Sequence, residues 1–280
     1  MNFANLHMHS IYSDGNFTPL QLVSIAKAMG YSAIALTDHE TDGGFAEIAE
    51  ACREEGMECL IGCEFYGSDF GQNFHIVGLD YDKDNKDIRA LIKDRIDSRT
   101  EYTRKAFEYG KSIGAIHDIT WNEVLDDCTD TTWICNAQVL ITMRRMGLIS
   151  KADRGGELSK LVFNAPEVKP YAPKAIAAEK VIKTIRSAGG IAIIAHPEKW
   201  MDHVPALVGY GINGIEISHP QLSETTIARA TQAAKEFGLY LSGGTDHYGA
   251  LSGIGGKYAT PVYSGISEED YYIIKERKLG

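Results

Sequence analysis

The chain has 280 residues, 44% hydrophobic and 24% charged, with a formal net charge of −10, a soluble globular composition with room for an α/β barrel and a small insertion. No apolar run approaches the ~18–20 residues a bilayer needs, and no basic-then-apolar leader opens the chain, so a cytoplasmic protein with no membrane partner is expected. The acidic balance argues against long nucleic acid but leaves room for a short phosphorylated ligand held beside bound cations.

In chain order, the first feature is Asn5-Leu6-His7-Met8-His9, with Ser13-Asp14-Gly15 following. On an extended segment residues two apart share a face, so His7 and His9 reach one point in space, and the turn adds the Asp14 carboxylate. Two imidazoles and an oxygen donor suit a borderline divalent metal such as Zn, Mn or Fe. Thr18-Pro19 then opens a helix that Gly30 stops. Ser32 to Thr37 is an apolar run of strand length, ending in Asp38-His39-Glu40. A helix from about Gly44 to Glu55 leads to the run Glu58 to Gly62, which ends in Cys63-Glu64-Phe65. Phe74 to Leu79 is a further short strand, with His75 near its start.

Residues 83–173 read differently. They are rich in charge and helix formers, with long amphipathic patterns over Ile88–Ser112 and Val139–Met146. Trp121, Trp133 and Leu140 are expected to give them a small core of their own. We read this stretch as a mostly helical insertion that forms a lid, with Pro166, Pro170 and Pro173 marking the return. Residues 1–82 and 174–280 are read as the barrel domain.

Beyond the insertion, a helix over Ala175–Ala188 precedes Ile191–Ala195, a strand ending in His196-Pro197. A short helix near Pro205–Val208 precedes Gly214–Ile217, which ends in Ser218-His219-Pro220. A helix over Ser223–Phe237 leads to Leu239–Gly243, ending in Gly244-Thr245-Asp246-His247. The last helix is expected over Glu268–Lys278. Alternating apolar strands and amphipathic helices call for a parallel sheet with helical crossovers, whose C-terminal face is where barrels assemble active sites.

Seven of the nine histidines (7, 9, 39, 75, 196, 219 and 247) lie at strand ends. Packing gives no reason for titratable rings to gather there. With Asp14, Glu64 and Asp246 they supply more donors than one ion uses, which implies two or three metals. His117 and His203 fall outside this rhythm and read as exposed or structural. The five cysteines (52, 59, 63, 128 and 135) fit no paired zinc spacing and read as reduced thiols. The acidic Asp126-Asp127 with Asp130 reads as a solvated loop. Gly253 to Lys257 lacks phosphate-loop spacing, and no Gly-x-Ser-x-Gly elbow is present.

Six ordered motifs together resemble the PHP (polymerase and histidinol phosphatase) superfamily, in its TrpH-like phosphoesterase branch. They are His7-Met-His9-Ser-Ile-Tyr-Ser-Asp14-Gly, Leu36-Thr-Asp-His39-Glu, Gly62-Cys-Glu64-Phe, Phe74-His75-Ile-Val-Gly, Ala195-His196-Pro and Gly244-Thr-Asp246-His247. The resemblance implies a distorted (βα)7 TIM-like barrel with two to three divalent ions (Mn, Fe or Zn) on its C-terminal face. It implies one metal on His7, His9, Glu64 and Asp246, and a second sharing Glu64 with His75 and His196. A third would take Asp14, His39 and a last histidine, with Asp38 orienting a neighbouring histidine.

The sequence departs from the family pattern in three places. The family commonly ends in Asp-x-His, whereas here His247 directly follows Asp246 and Tyr248 stands at the usual histidine position. Either the loop shifts to let His247 bind, or the third site is weaker. Ile134 to Gln138 lacks the Arg and His with which insertions of this branch often grip phosphate. After Ala-His-Pro comes Glu198-Lys199-Trp200, so Lys199 is the expected phosphate contact.

The activity implied is hydrolysis of a phosphate monoester by a metal-bridging hydroxide. The substrate class is a small phosphorylated metabolite such as a nucleoside 3′,5′-bisphosphate. The alternatives are 5′-to-3′ exonuclease action on short oligonucleotides and a metal-binding regulatory module without turnover. His219 is read either as a substrate contact and leaving-group proton donor or as a structural ring beside the ligands.

Overall fold

The computed structural model describes residues 2–128, 131–149, 156–246 and 263–278. Seven strands form one sheet in sequential order: β1 (Ala4–Asn5), β2 (Ala33–Leu36), β3 (Glu58–Asp69), β4 (Gln72–Leu79), β5 (Ile191–Ile194), β6 (Gly214–Ser218) and β7 (Tyr240–Gly243). The Leu6 N–H donates to the Gly243 carbonyl at 3.0 Å and the Asp246 N–H to the His7 carbonyl at 2.9 Å, so the last strand returns to the first. A nearly closed, distorted barrel results. Gly244 permits that return, since a Cβ there would stand 2.3 Å from the His7 nitrogen.

Helices α1 (Pro19–Ala28), α2 (Phe45–Glu55), α7 (Ala178–Ser187), α8 (Val204–Tyr210), α9 (Glu224–Phe237) and α10 (Glu268–Lys275) belong to the barrel. Their starts follow local chemistry: Thr18 caps α1 in a full capping box with Gln21, and Ser223 and Ser267 cap α9 and α10. The apolar face of α7 (Ala178, Val181, Ile182, Ile185) is buried in the cluster formed with Phe65, Ile76 and Ile194.

One expectation is corrected. The sheet is not all parallel: β4 runs antiparallel to both β3 and β5. Phe70 and Gly71 form the link between β3 and β4, with φ of 50° and 71°. A link of two residues can join only antiparallel strands, and positive φ at both matches the twist such hairpins need. The run expected over Glu58–Gly62 is therefore the first part of a strand that continues to Asp69.

Between β4 and α7 the chain forms α3 (Lys86–Ser112), α4 (Trp121–Asp127), α5 (Asn136–Arg145) and the short α6 (Gly156–Leu158), which widens into a π turn over Ser159–Phe163. Ile88, Leu91 and Ile92 of α3 pack in the barrel cluster, while Ala106 and Phe107 join a separate core with Ile116, Val124, Leu140 and Val162. Trp121 packs on this second core, as expected of it and of Leu140, but Trp133 does not. Trp133 groups instead with Cys135 and Ala137, its ring 6.2 Å from that of His39.

Ile185 is fully buried and fills the notch left by Gly78 and Gly190, where added Cβ atoms would meet it at 3.2 and 2.9 Å. Ile185→Ala leaves that notch empty, and urea unfolding is expected to register a loss of about 2–5 kcal/mol. A change within about 0.5 kcal/mol would mean that α7 does not close this side of the barrel.

Candidate metal centre

The ends of six strands converge on Glu64. The residue is buried, at the point where β3 passes the end of β2 and Glu64 bridges to His39. Glu64 Oε2 stands 3.3 Å from His7 Nε2, 3.4 Å from His9 Nε2 and 3.0 Å from His39 Nδ1. Its other oxygen, Oε1, stands 2.9 Å from His75 Nδ1 and 3.2 Å from His196 Nε2. Asp246 closes the first group, with Oδ1 3.1 Å from His9 Nε2 and 3.6 Å from His7 Nε2. Asp14 lies on the outer side, 3.6 Å from His39 Nε2 and 3.9 Å from His9 Nδ1.

Among the described residues, four groups bring donor atoms within 4.8 Å of one another: His7, His9 and Asp246; His7, Glu216 and His219; His9, His39 and Glu64; and Glu64, His75 and His196. His7 Nε2 and Asp14 Oδ1 are buried and make no hydrogen bond, as befits atoms that face an ion rather than a neighbour. The mixed imidazole and carboxylate donors suit Zn, Mn or Fe. The residues fit the ions expected of them.

A family model, that of the PHP domain, matches residues 5–193. The chain belongs to the PHP domain family. A 5′-3′ exoribonuclease of Haemophilus influenzae is 30% identical over 254 residues, covering 87% of this chain and 89% of that protein. A 3′,5′-nucleoside bisphosphate phosphatase of Chromobacterium violaceum is 29% identical, covering 87% and 86%. A solved structure from Bifidobacterium adolescentis, assigned as a metal-dependent phosphoesterase, superposes with a TM-score of 0.80 at 22% identity, covering 99% of this chain and 96% of that one.

Two residues of the cluster sit in left-handed backbone. His196 and Asp246, just past β5 and β7, have φ of 30° and 48°. Such left-handed positions cost roughly 1–3 kcal/mol each and persist only where their surroundings impose them. Asp38, to which the resemblance gives the role of orienting a neighbouring histidine, lies close enough to His9 for their charges to interact, while its hydrogen bonds go to the loop. Its carboxylate accepts from the Ser10 N–H and from the Ser10 and Ser13 hydroxyls, and so holds the loop that carries Asp14.

His219 is buried with the cluster. Its Nδ1 accepts the Gln221 N–H at 3.1 Å, so its proton sits on Nε2, 3.2 Å from Asp246 Oδ2. Lys199 is exposed on the turn Pro197–Lys199 that follows His196. His117 pairs with Asp118, and His203 stacks on Phe70; both lie outside the cluster, as expected. His247 and Tyr248 lie outside the described residues.

Sequence reasoning missed two charged side chains. Glu216, in the middle of β6, accepts from His7 Nδ1 at 2.8 Å and from the His196 backbone N–H at 2.6 Å. A lone glutamate inside an apolar strand was the available signal. Arg99 of α3 lies 5.8 Å from the Tyr66 ring centre, 6.0 Å from that of Trp133 and 4.0 Å from Glu40. Tyr66 in turn stacks on His39 at 5.2 Å. Nothing in the charge-rich helix distinguished Arg99 beforehand.

Burial opposes charge on every group here, yet the mutual attractions win for most. Burial alone would lower His7, but Glu64, Glu216 and Asp246 raise it well above the usual imidazole range. Against the same burial, Asp14 and Glu64 raise His39 to about 9. Glu64 and Asp246, despite burial, are held well below the carboxylate range, chiefly by His7. His75 goes the other way, lowered because burial outweighs Glu64.

With the pKa values of His7 and His39 raised, a binding ion competes with a proton at each ring. Metal affinity is expected to rise as pH rises from 7 toward 9, by up to about tenfold per unit for each proton displaced. Calorimetric titration in buffers of different ionisation enthalpy checks this through proton release; affinity flat from pH 7 to 9 would contradict it.

Proposed function

We propose that this PHP domain is a metal-dependent phosphoesterase that hydrolyses a phosphate monoester of a small phosphorylated metabolite. A nucleoside 3′,5′-bisphosphate is the leading candidate. The observation that carries the reading is Glu64, whose two oxygens face two separate histidine groups across one carboxylate. That is the arrangement two neighbouring cations need. Support also comes from the named activities of the relatives, each of which acts on phosphoester bonds.

In this reading His7, His9, Glu64 and Asp246 hold one divalent ion, and Glu64, His75 and His196 a second. Asp14 and His39 hold a third, with His247 as the remaining proposed ligand. Bound divalent ions lower the pKa of a coordinated water toward ~7 and offset charge on phosphate oxygens. The protein's own residues set the geometry around them. Arg99, stationed over Tyr66 and Trp133, offers a planar pair of donors to the phosphate oxygens that face solvent. Lys199, exposed on the turn after His196, is a further proposed contact. Of the two roles considered for His219, its burial and the 3.2 Å approach of its Nε2 to Asp246 Oδ2 favour support of Asp246.

We assign residues 83–173 as the lid. The Thr131 hydroxyl donates to the Tyr12 carbonyl at 2.7 Å, which ties this segment to the loop bearing Asp14. A covered site and a net charge of −10 favour small substrates over polymers. A second reading, 5′-to-3′ exonuclease action on short oligonucleotides, is favoured by the 30% identical exoribonuclease. Both use the same chemistry and differ in what occupies the mouth.

A phosphate-release screen over nucleoside bisphosphates, sugar phosphates, histidinol phosphate and short oligonucleotides separates them. Bisphosphates are expected to lead, and a chelator to abolish turnover. Metal-loaded protein inert on the whole panel would leave a binding module without turnover. Arg99→Ala is expected to lower kcat/KM by about 10- to 100-fold with metal content unchanged, the scale of a hydrogen bond to a charged group. Steady-state kinetics beside metal analysis decides it; an unchanged kcat/KM would remove Arg99 from the site.

A further inference from the structure

Glu216 lies at the centre of β6 and is fully buried. Each of its oxygens is engaged. Oε1 accepts the proton of His7 Nδ1 at 2.8 Å, and Oε2 accepts the backbone N–H of His196 at 2.6 Å. Holding one His7 proton on Nδ1 leaves Nε2, 3.3 Å from Glu64 Oε2, as the nitrogen that would give up its proton to an ion. Holding the His196 N–H pins a residue whose φ of 30° is otherwise unfavourable. The two histidines belong to different pockets, so one carboxylate aligns a ligand in each.

We infer that Glu216 is a positioning residue of the metal centre, fixing the tautomer of His7 and the backbone of His196. It rests on the metal centre proposed above. The rival role is direct ligation, because His7, Glu216 and His219 also bring donor atoms within 4.8 Å of one another. Against it, both oxygens already accept a hydrogen bond. Glutamine would be a poor substitute, since its single oxygen accepts one of the two protons and its NH2 group opposes the other.

The test is Glu216→Gln, compared with wild type by titration with Mn2+ and Zn2+ against a chromophoric chelator. Wild type is expected to take up at least two equivalents. The variant is expected to keep the same number, each bound about 10- to 100-fold more weakly. Unchanged affinities overturn the inference. The loss of one whole equivalent, with the others unaffected, also overturns it, making Glu216 a ligand. Wild type that takes up no ion instead overturns the metal centre itself, and this inference with it. Should the variant fail to fold, wild type alone still decides: long-range 1H–15N NMR of the Zn-loaded protein must find the His7 proton on Nδ1. A proton on Nε2 overturns the assignment.

Discussion

The structure depends on keeping one ionised carboxylate, Glu64, out of water. An unpaired buried charge costs several kcal/mol even after its surroundings relax. Glu64 is tolerable only because five imidazoles, from His7, His9, His39, His75 and His196, surround its two oxygens. Those rings come from strands far apart in sequence, so the barrel must close for the charge to be paired. The return of β7 to β1, the strained turns at His196 and Asp246, and the Asp38 anchor on Ser10 and Ser13 all serve that closure.

The reversal of β4 is part of the same constraint. His75 lies near the start of its strand, and in a parallel barrel a residue there would sit on the face away from the site. Running antiparallel, β4 begins at the C-terminal face, and His75 pairs with Tyr66 just beyond Glu64. The chain then leaves β4 heading away from the site. Helix α3, with 27 residues, spans roughly 40 Å at 1.5 Å per residue, enough to climb back past the barrel. Its first turns pack on the barrel core and its last turns on the second core. Arg99 falls between them, beside Tyr66, Trp133 and Glu40.

How much of this was legible follows from what each residue does locally. Strand-end residues of the cluster stood out because a His, Asp or Glu after an apolar run is conspicuous: that His39, His196 and Asp246 come together was read without any tertiary information. The direction of β4 was hidden because its turn is Asp69-Phe70-Gly71-Gln72, with a phenylalanine at positive φ where Asn or Gly is the usual signal. Trp133 looked like core because a tryptophan in a helical segment usually is; only the docking of that segment on the barrel turns it toward His39. Glu216 was concealed by its apolar neighbours. Its function depends on a hydrogen bond to a residue 209 positions away, and local pattern carries no trace of such a pairing.

The electrostatic balance also bears on how an acidic protein could accommodate a phosphate, as the proposed function requires. Glu64, Glu216, Asp246, Asp38 and Glu40 are all buried around the centre, so the site would repel an anion if its carboxylates stood alone. The raised pKa values of His7 and His39 reflect those carboxylates drawing positive charge onto the rings, and divalent ions bound there would offset them further. Arg99 adds a cation whose position does not depend on metal, because Tyr66 and Trp133 flank it and Glu40 lies 4.0 Å away. Under the phosphoesterase reading, recognition of a phosphate would rest on bound cations and Arg99 close to Glu64 rather than on the chain's net charge of −10.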